Sequence, residues 1–146
     1  MKAIYKFLQL SGSDRWLLLQ AFVLLAAIQL GLHLLPFLNL KRDLDRLAVL
    51  KGSSPVTRRP TADRIPWAVR VASSYIPKAT CLPQALVTHF LLVRNGYPAD
   101  LKIGAAKKQD GSFEAHAWVT SEQRIVIGAL RDLDRYTPLS TLPRKG

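Results

Sequence analysis

The stretch Ala79-Thr80-Cys81-Leu82-Pro83-Gln84-Ala85 contains the only cysteine of the 146-residue chain, at a point where a helix is predicted to begin. Pro83 falls in the first helical turn, where its missing N–H leaves no hydrogen bond unmade. Apolar residues then continue at helical spacing to Asn95-Gly96, a pair typical of a helix end. The N–H groups and positive dipole end of a helix N-terminus favour the reactive thiolate form of a cysteine. Because a lone cysteine is more often a small buried hydrophobe, a second residue is needed to indicate chemistry.

Length and composition limit the classes of protein to consider. At 146 residues the chain fits one domain. A single cysteine excludes an internal disulfide and a zinc site built from several cysteines, and no metal or other cofactor is predicted. The formal net charge of +11 either keeps the protein soluble or indicates an acidic or membrane-facing partner. The basic residues are dispersed and not interleaved with aromatic residues, so nucleic-acid binding is not predicted.

A long apolar segment dominates the first third of the chain. The range from Trp16 to Leu35 has no charged residue and approaches the roughly 20 residues needed to cross a bilayer. Gln29 and His33 lie within about 40° of each other on a helix, which favours a helix buried in protein or held at a membrane surface. A spanning helix is the alternative. Ser13 or Asp14 is predicted to cap this helix, and no cleavage site typical of a signal peptide follows it.

The chain divides into three parts by composition. Residues 1–50 form an N-terminal helical region predicted to pack on the core, on a partner or on a membrane. Residues 51–61 form a basic linker rich in glycine, serine and proline. Residues 62–146 are predicted to carry the chemistry, beginning with a further helix capped by Thr61 or Asp63.

Beyond Gly96 the hydrophobic period changes from 3.6 to 2, which predicts three strands joined by short turns in an antiparallel meander. The first turn is predicted at residues 109–112 and the return strand at residues 113–120. Together with the preceding helices this gives the α+β class.

His116 lies in the middle strand and shares a face with Glu114 and Trp118. We expect that face to lie under the helix that begins at Cys81. A cysteine and a histidine brought together in this way are the minimum for a thiol nucleophile with its own general acid and base. The other histidines, His33 and His89, are predicted to be packing or surface residues.

Five runs of residues between positions 62 and 140 carry a family resemblance: Cys81–Leu86, Leu91–Gly104, Glu114–Val119, Ile127-Gly128 and Arg135–Leu139. In order and spacing they resemble the stand-alone leader peptidases of lasso-peptide biosynthesis, called B proteins. These are transglutaminase-like cysteine proteases. The resemblance implies N-terminal helices followed by a transglutaminase- or papain-like core, with the nucleophile at a helix N-terminus packed on an antiparallel sheet.

The resemblance also implies roles for particular residues. Cys81 would be the nucleophile, with its own N–H as an oxyanion donor, and His116 would act as base and then as acid. In many relatives an aspartate follows the histidine by twelve positions, where this chain has Gly128. Asp132 is the preferred replacement and Asp134 the next carboxylate along the chain. A Cys–His dyad whose histidine is oriented by a backbone carbonyl or an amide side chain is the alternative.

The function implied is removal of the leader from a lasso-peptide precursor in the cytoplasm, before a cyclase closes the macrolactam. Because no leader-recognition domain is found in the sequence, a separate recognition protein is expected to bring the precursor. Membrane association through Trp16 to Leu35 is left open. The alternatives are a transglutaminase-like acyl transferase or amidase, and a non-catalytic scaffold docked on a membrane.

Overall fold

A computed structural model describes residues 2–34, 36–50, 61–76, 81–128 and 136–138 of the chain. These ranges contain five helices, which are α1 (Lys2–Gln9), α2 (Gly12–Leu34), α3 (Phe37–Leu50), α4 (Arg64–Ser73) and α5 (Cys81–Arg94). They also contain four strands, which are β1 (Asp100–Lys107), β2 (Phe113–Ser121), β3 (Arg124–Ile127) and β4 (Thr137–Pro138). The predicted α+β class, with N-terminal helices before the sheet, is confirmed. Positions 51–60 of the predicted linker, and both Asp132 and Asp134, lie outside the described residues.

The start of α2 differs from the prediction in its capping residue. The Ser11 hydroxyl oxygen accepts a hydrogen bond from the Asp14 N–H at 3.2 Å, so Ser11 is the cap and the prediction of Ser13 or Asp14 is wrong. The reason is that the helix begins at Gly12, several residues before its apolar segment, which places Ser13 inside the first turn. The Asp14 carboxylate instead accepts two hydrogen bonds from the Arg64 guanidinium, at 2.7 and 3.2 Å.

The two sides of α2 have different surroundings. One side packs against α4, α5 and α3, and its buried residues are Leu17, Leu18, Ala21, Leu25 and Ile28. The opposite side is exposed. By length and composition α2 can cross a membrane, with a mean hydropathy of 2.0 over an 18-residue window, and no other helix of the described ranges can.

Helix α5 lies at the centre of the molecule. It packs against α2, α3 and α4 and, on another side, against β2. The helix ends as predicted at Asn95-Gly96, where Gly96 has a φ of 84° and the Tyr97 N–H donates to the Leu92 carbonyl at 2.9 Å. After this helix end, residues 97–99 connect α5 to β1.

The strands form one antiparallel sheet in the order β3-β2-β1-β4. The predicted turn between β1 and β2 is confirmed, because Gly111 adopts a φ of 90° and the Ser112 N–H donates to the Asp110 carboxylate at 2.9 Å. Strands β1 and β2 pair residue for residue, which sets Gly104 opposite His116.

The two faces of this sheet have separate cores. The helix-side face, defined by Ala117, Val119 and Ile127, belongs to the main core with α5. The outer face, defined by Ala106, His116, Trp118 and Tyr136, has its own small cluster, in which Ala106, Trp118 and Tyr136 are buried. Since neighbouring residues of a strand point to opposite faces, β2 supplies side chains to both.

Candidate active site

Cys81 is the first residue of α5, as the sequence predicts. Its side chain is half-buried, carries a free thiol and packs against the main core on the helix side of the sheet. The first N–H groups of a helix have no partner within that helix, so they are available to an oxygen that develops negative charge beside the sulfur.

His116 is held by a backbone group. Its Nε2 lies 2.6 Å from the carbonyl oxygen of Gly128. A carbonyl oxygen only accepts hydrogen bonds, so Nε2 carries the hydrogen and donates it. In the neutral ring Nδ1 then bears the lone pair and is the nitrogen that can take a proton.

The acceptor comes from the position where the resemblance places an aspartate, twelve residues after the histidine. Gly128 has a φ of 86°, and a Cβ added there would lie 2.6 Å from the Ala117 carbonyl oxygen and 2.8 Å from the Trp118 Cβ. Both the backbone conformation and the available space therefore require glycine. An aspartate does not fit this backbone, and the Gly128 carbonyl accepts the hydrogen bond from His116.

Two aromatic side chains enclose the His116 ring on the outer face. The Trp118 ring is stacked with it at a centroid distance of 6.2 Å, and the Tyr136 ring is tilted by 50° at 5.7 Å. A Cβ at Gly104 would lie 2.9 Å from both the Trp118 ring and the Tyr136 Cβ, so glycine there lets both residues pack onto the sheet. The sequence pattern gave no signal for a role of Tyr136 or Gly104, although both residues fall within the runs that carry the resemblance.

The structure places Cys81 and His116 on different sides of the sheet. Ala117 and Val119 lie against α5, whereas His116 lies on the outer face with Trp118. The prediction that the His116 face lies under the helix beginning at Cys81 is therefore wrong. Small apolar residues allow a helix to approach a sheet closely, and on β2 these are Ala117 and Val119. Between these two described residues there is no hydrogen bond.

The other two histidines are packing and surface residues, as predicted. His33 is exposed on α2. His89 is largely buried in α5, with its Nδ1 3.9 Å from an Asp45 carboxylate oxygen, and burial lowers the pKa of its ring. Within the described ranges, no three His, Cys, Asp or Glu side chains are grouped so that they could hold a metal ion.

These features define a class of protein: an α+β fold in which a cysteine begins a helix packed on an antiparallel sheet, with an oriented histidine on an inner strand. The chain matches the family model described as the transglutaminase-like superfamily over residues 23–141. It belongs to that superfamily. The match begins within α2, so it includes the second half of α2 and all of α3 as well as the part that follows residue 62. No similarity to a curated protein or to a solved structure was found.

Proposed function

We propose that this protein is a cysteine peptidase that removes the leader from a lasso-peptide precursor. Members of the transglutaminase-like superfamily are generally cysteine proteases or acyltransferases, which supports cysteine-dependent acyl transfer. The observation that carries the proposal is the hydrogen bond from His116 Nε2 to the Gly128 carbonyl, because it leaves Nδ1 as a base. The five runs that resemble leader peptidases support the choice of substrate.

In the proposed reaction the Cys81 thiolate attacks the scissile carbonyl carbon, and His116 carries the thiol proton on Nδ1. Collapse of the tetrahedral intermediate forms a thioester with the leader. The leaving amine, which is the amino terminus of the core peptide, takes that proton. Water then attacks the thioester, His116 accepts a proton from it, and the leader leaves as a carboxylic acid while Cys81 regains its thiol.

This mechanism needs Nδ1 of His116 within hydrogen-bonding distance of the Cys81 sulfur. Since the two residues belong to different sides of the sheet, the proposal also requires a conformational change that brings Nδ1 of His116 to the sulfur of Cys81. It is tested by the rate at which iodoacetamide alkylates Cys81 at neutral pH. We expect His116→Gln to lower that rate about tenfold, and His33→Gln, which changes an exposed histidine on α2, to leave it unchanged. Equal rates in the parent and His116→Gln would show that the ring does not assist the sulfur.

The proposal assigns the orienting role to the Gly128 carbonyl, with Asp132 as the alternative. A carboxylate that orients a catalytic histidine contributes a large part of the rate, about 10⁴-fold in a well-studied serine protease. If the carbonyl is sufficient, Asp132→Asn keeps the parent rate of cleavage. A loss of several orders of magnitude in that variant would assign the role to Asp132 instead.

The proposed partners are the leader region of the precursor, a separate recognition protein and a macrolactam-forming cyclase, all in the cytoplasm. The direct test mixes purified protein, recognition protein and precursor and follows the products by mass spectrometry. We expect cleavage by the parent and none by Cys81→Ala. Cleavage by Cys81→Ala at the parent rate would overturn the proposal.

Acyl transfer to an amine is the second candidate, because the superfamily includes acyltransferases that form the same thioester. The product mass separates the two reactions, since hydrolysis adds one water across the bond and amine transfer does not. The non-catalytic scaffold considered from the sequence is excluded if Cys81 is alkylated rapidly in the parent.

A further inference from the structure

The exposed side of α2 is an almost unbroken apolar surface. Its large side chains are between 43% and 72% exposed, and at 100° per residue all of them except Phe22, which borders the buried side, lie opposite the buried residues of the helix. We call this surface the apolar ridge; it consists of Trp16, Leu19, Phe22, Val23, Leu30 and Leu34. None of these residues is charged.

Helix α1 presents a second exposed apolar surface just before the ridge. Its exposed apolar residues are Ile4, Tyr5, Phe7 and Leu8. At 100° per residue Lys6 falls opposite Ile4, so the helix is amphipathic. In a water-soluble protein the apolar face of such a helix is normally covered by other parts of the fold. Here all four side chains are between 39% and 67% exposed.

The chemistry of these surfaces favours lipid as the occupant. Contiguous exposed apolar surface beyond a few hundred Å² marks an interaction site. Protein interfaces carry about one hydrogen bond per 100–200 Å², whereas between Trp16 and Leu34 the exposed side chains of α2 that bear a polar group are those of Trp16 and His33. Indole and phenol rings such as those of Trp16 and Tyr5 suit the level of lipid headgroups. The net charge of +11, with Lys6 on α1 and Arg15 at the start of α2, complements an anionic bilayer.

The packing of α2 against the rest of the fold determines how this helix can be oriented relative to a membrane. Its other side is buried against α4 and α5, and Asp14 is paired with Arg64 of α4. If α2 crossed the bilayer, α4 would be drawn into the hydrocarbon with Arg64 and the exposed Arg70, at a high cost in free energy. A helix lying in the membrane plane avoids this cost.

We propose that α1 and the apolar ridge form a docking surface for an anionic phospholipid bilayer, with α2 parallel to the membrane and the rest of the fold on the aqueous side. This proposal is independent of the reaction at Cys81. It replaces the open choice between a spanning and a surface helix with one orientation.

The first test is flotation with vesicles of phosphatidylglycerol and phosphatidylcholine. We expect the parent to bind and Phe22→Asp to reduce the partition coefficient at least about tenfold, because it places a charge on the apolar ridge. Ile125→Asp is the matched control, since Ile125 on β3 is 42% exposed and Phe22 is 43% exposed. Ile125→Asp should bind like the parent, and circular dichroism verifies the helix content of both variants.

Three outcomes would overturn the proposal. The first is no binding of the parent to these vesicles. The second is an equal loss of binding in Phe22→Asp and Ile125→Asp. The third is self-association of the parent in the absence of vesicles that Phe22→Asp abolishes while vesicles bind nothing, because the ridge would then be an interface between two copies of the chain.

The second test measures depth. In a Cys81→Ser background, Leu19→Cys and Leu30→Cys are labelled with an environment-sensitive fluorophore and quenched by lipids carrying nitroxides at known depths. A helix in the membrane plane gives the same shallow depth at both sites. A spanning helix would separate them by about 16 Å and would overturn the proposal.

Discussion

The two faces of the sheet differ in what β2 places on them. On the helix-side face Ala117 and Val119 are buried against α5 and carry no polar group. One residue away along the same strand, the outer face carries His116, with its hydrogen bond to Gly128 and its aromatic neighbour Trp118. A shift of one residue thus separates the side chains that pack against α5 from those to which we assign the proposed chemistry.

The largest expected effect comes from replacing His116, and comparison with a replacement of Val119 tests the difference between the two faces. We expect His116→Gln to lower kcat/KM for precursor cleavage by about 10³-fold, the range for loss of a general base, with little change in stability. Val119→Ala should instead lower the stability of the fold and leave catalysis almost unchanged. It should cost about 2 kcal/mol of unfolding free energy through the cavity it leaves, with turnover per folded molecule almost unchanged. Cleavage assays measure kcat/KM of both variants, and urea denaturation measures their free energies of unfolding. If Val119→Ala reduced turnover as strongly as His116→Gln, the division would be wrong.

The next effect concerns the backbone that holds His116 in place. Gly128→Ala should destabilise the protein by about 2–4 kcal/mol, because it adds a strained positive φ and a steric clash. Gly111→Ala is the matched control: Gly111 has a φ of 90°, but nothing lies within 4 Å of an added Cβ. Its cost should be about 1 kcal/mol, from conformation alone. Equal costs in urea denaturation would mean that the space around Gly128 is not restricted.

The smallest effect lies away from the sheet, in the ion pair between α2 and α4. Hydrogen bonds from Arg64 lower the pKa of Asp14. The folded state therefore binds the proton less tightly than the unfolded state. The stabilisation is complete above the ordinary pKa of about 3.9 and is lost as the pH falls through the lower folded value.

For this partly exposed pair, Asp14→Asn should cost about 0.5–1 kcal/mol at pH 7. The difference in unfolding free energy from the parent should shrink towards zero near pH 2. A difference that persisted unchanged in acid would mean that the charge on Asp14 is not its source.

Local backbone requirements were predictable from the sequence. The helix start at Cys81, the helix end at Gly96 and the turn at Gly111 follow from residue types that suit one conformation. The face occupied by His116 was not. Alternation shows that His116 shares a face with Trp118, but it does not say which face a helix will cover.

The group that orients His116 was also not predictable from residue types. A carboxylate at position 128 can be looked for in a sequence, whereas a carbonyl oxygen belongs to every residue. Whether it accepts a hydrogen bond depends on the backbone path. The absence of an aspartate at position 128 was visible in the sequence, whereas the hydrogen bond from His116 to the Gly128 carbonyl became visible only in three dimensions.

An acceptor that is part of the main chain cannot be deleted by exchanging a side chain. A mutational scan would record position 128 as tolerating glycine alone and would attribute every loss there to misfolding. An ester in place of the amide that follows Gly128 would weaken the carbonyl as an acceptor while keeping the glycine. Such an atomic replacement separates the contribution of this oxygen to the histidine from its contribution to the fold.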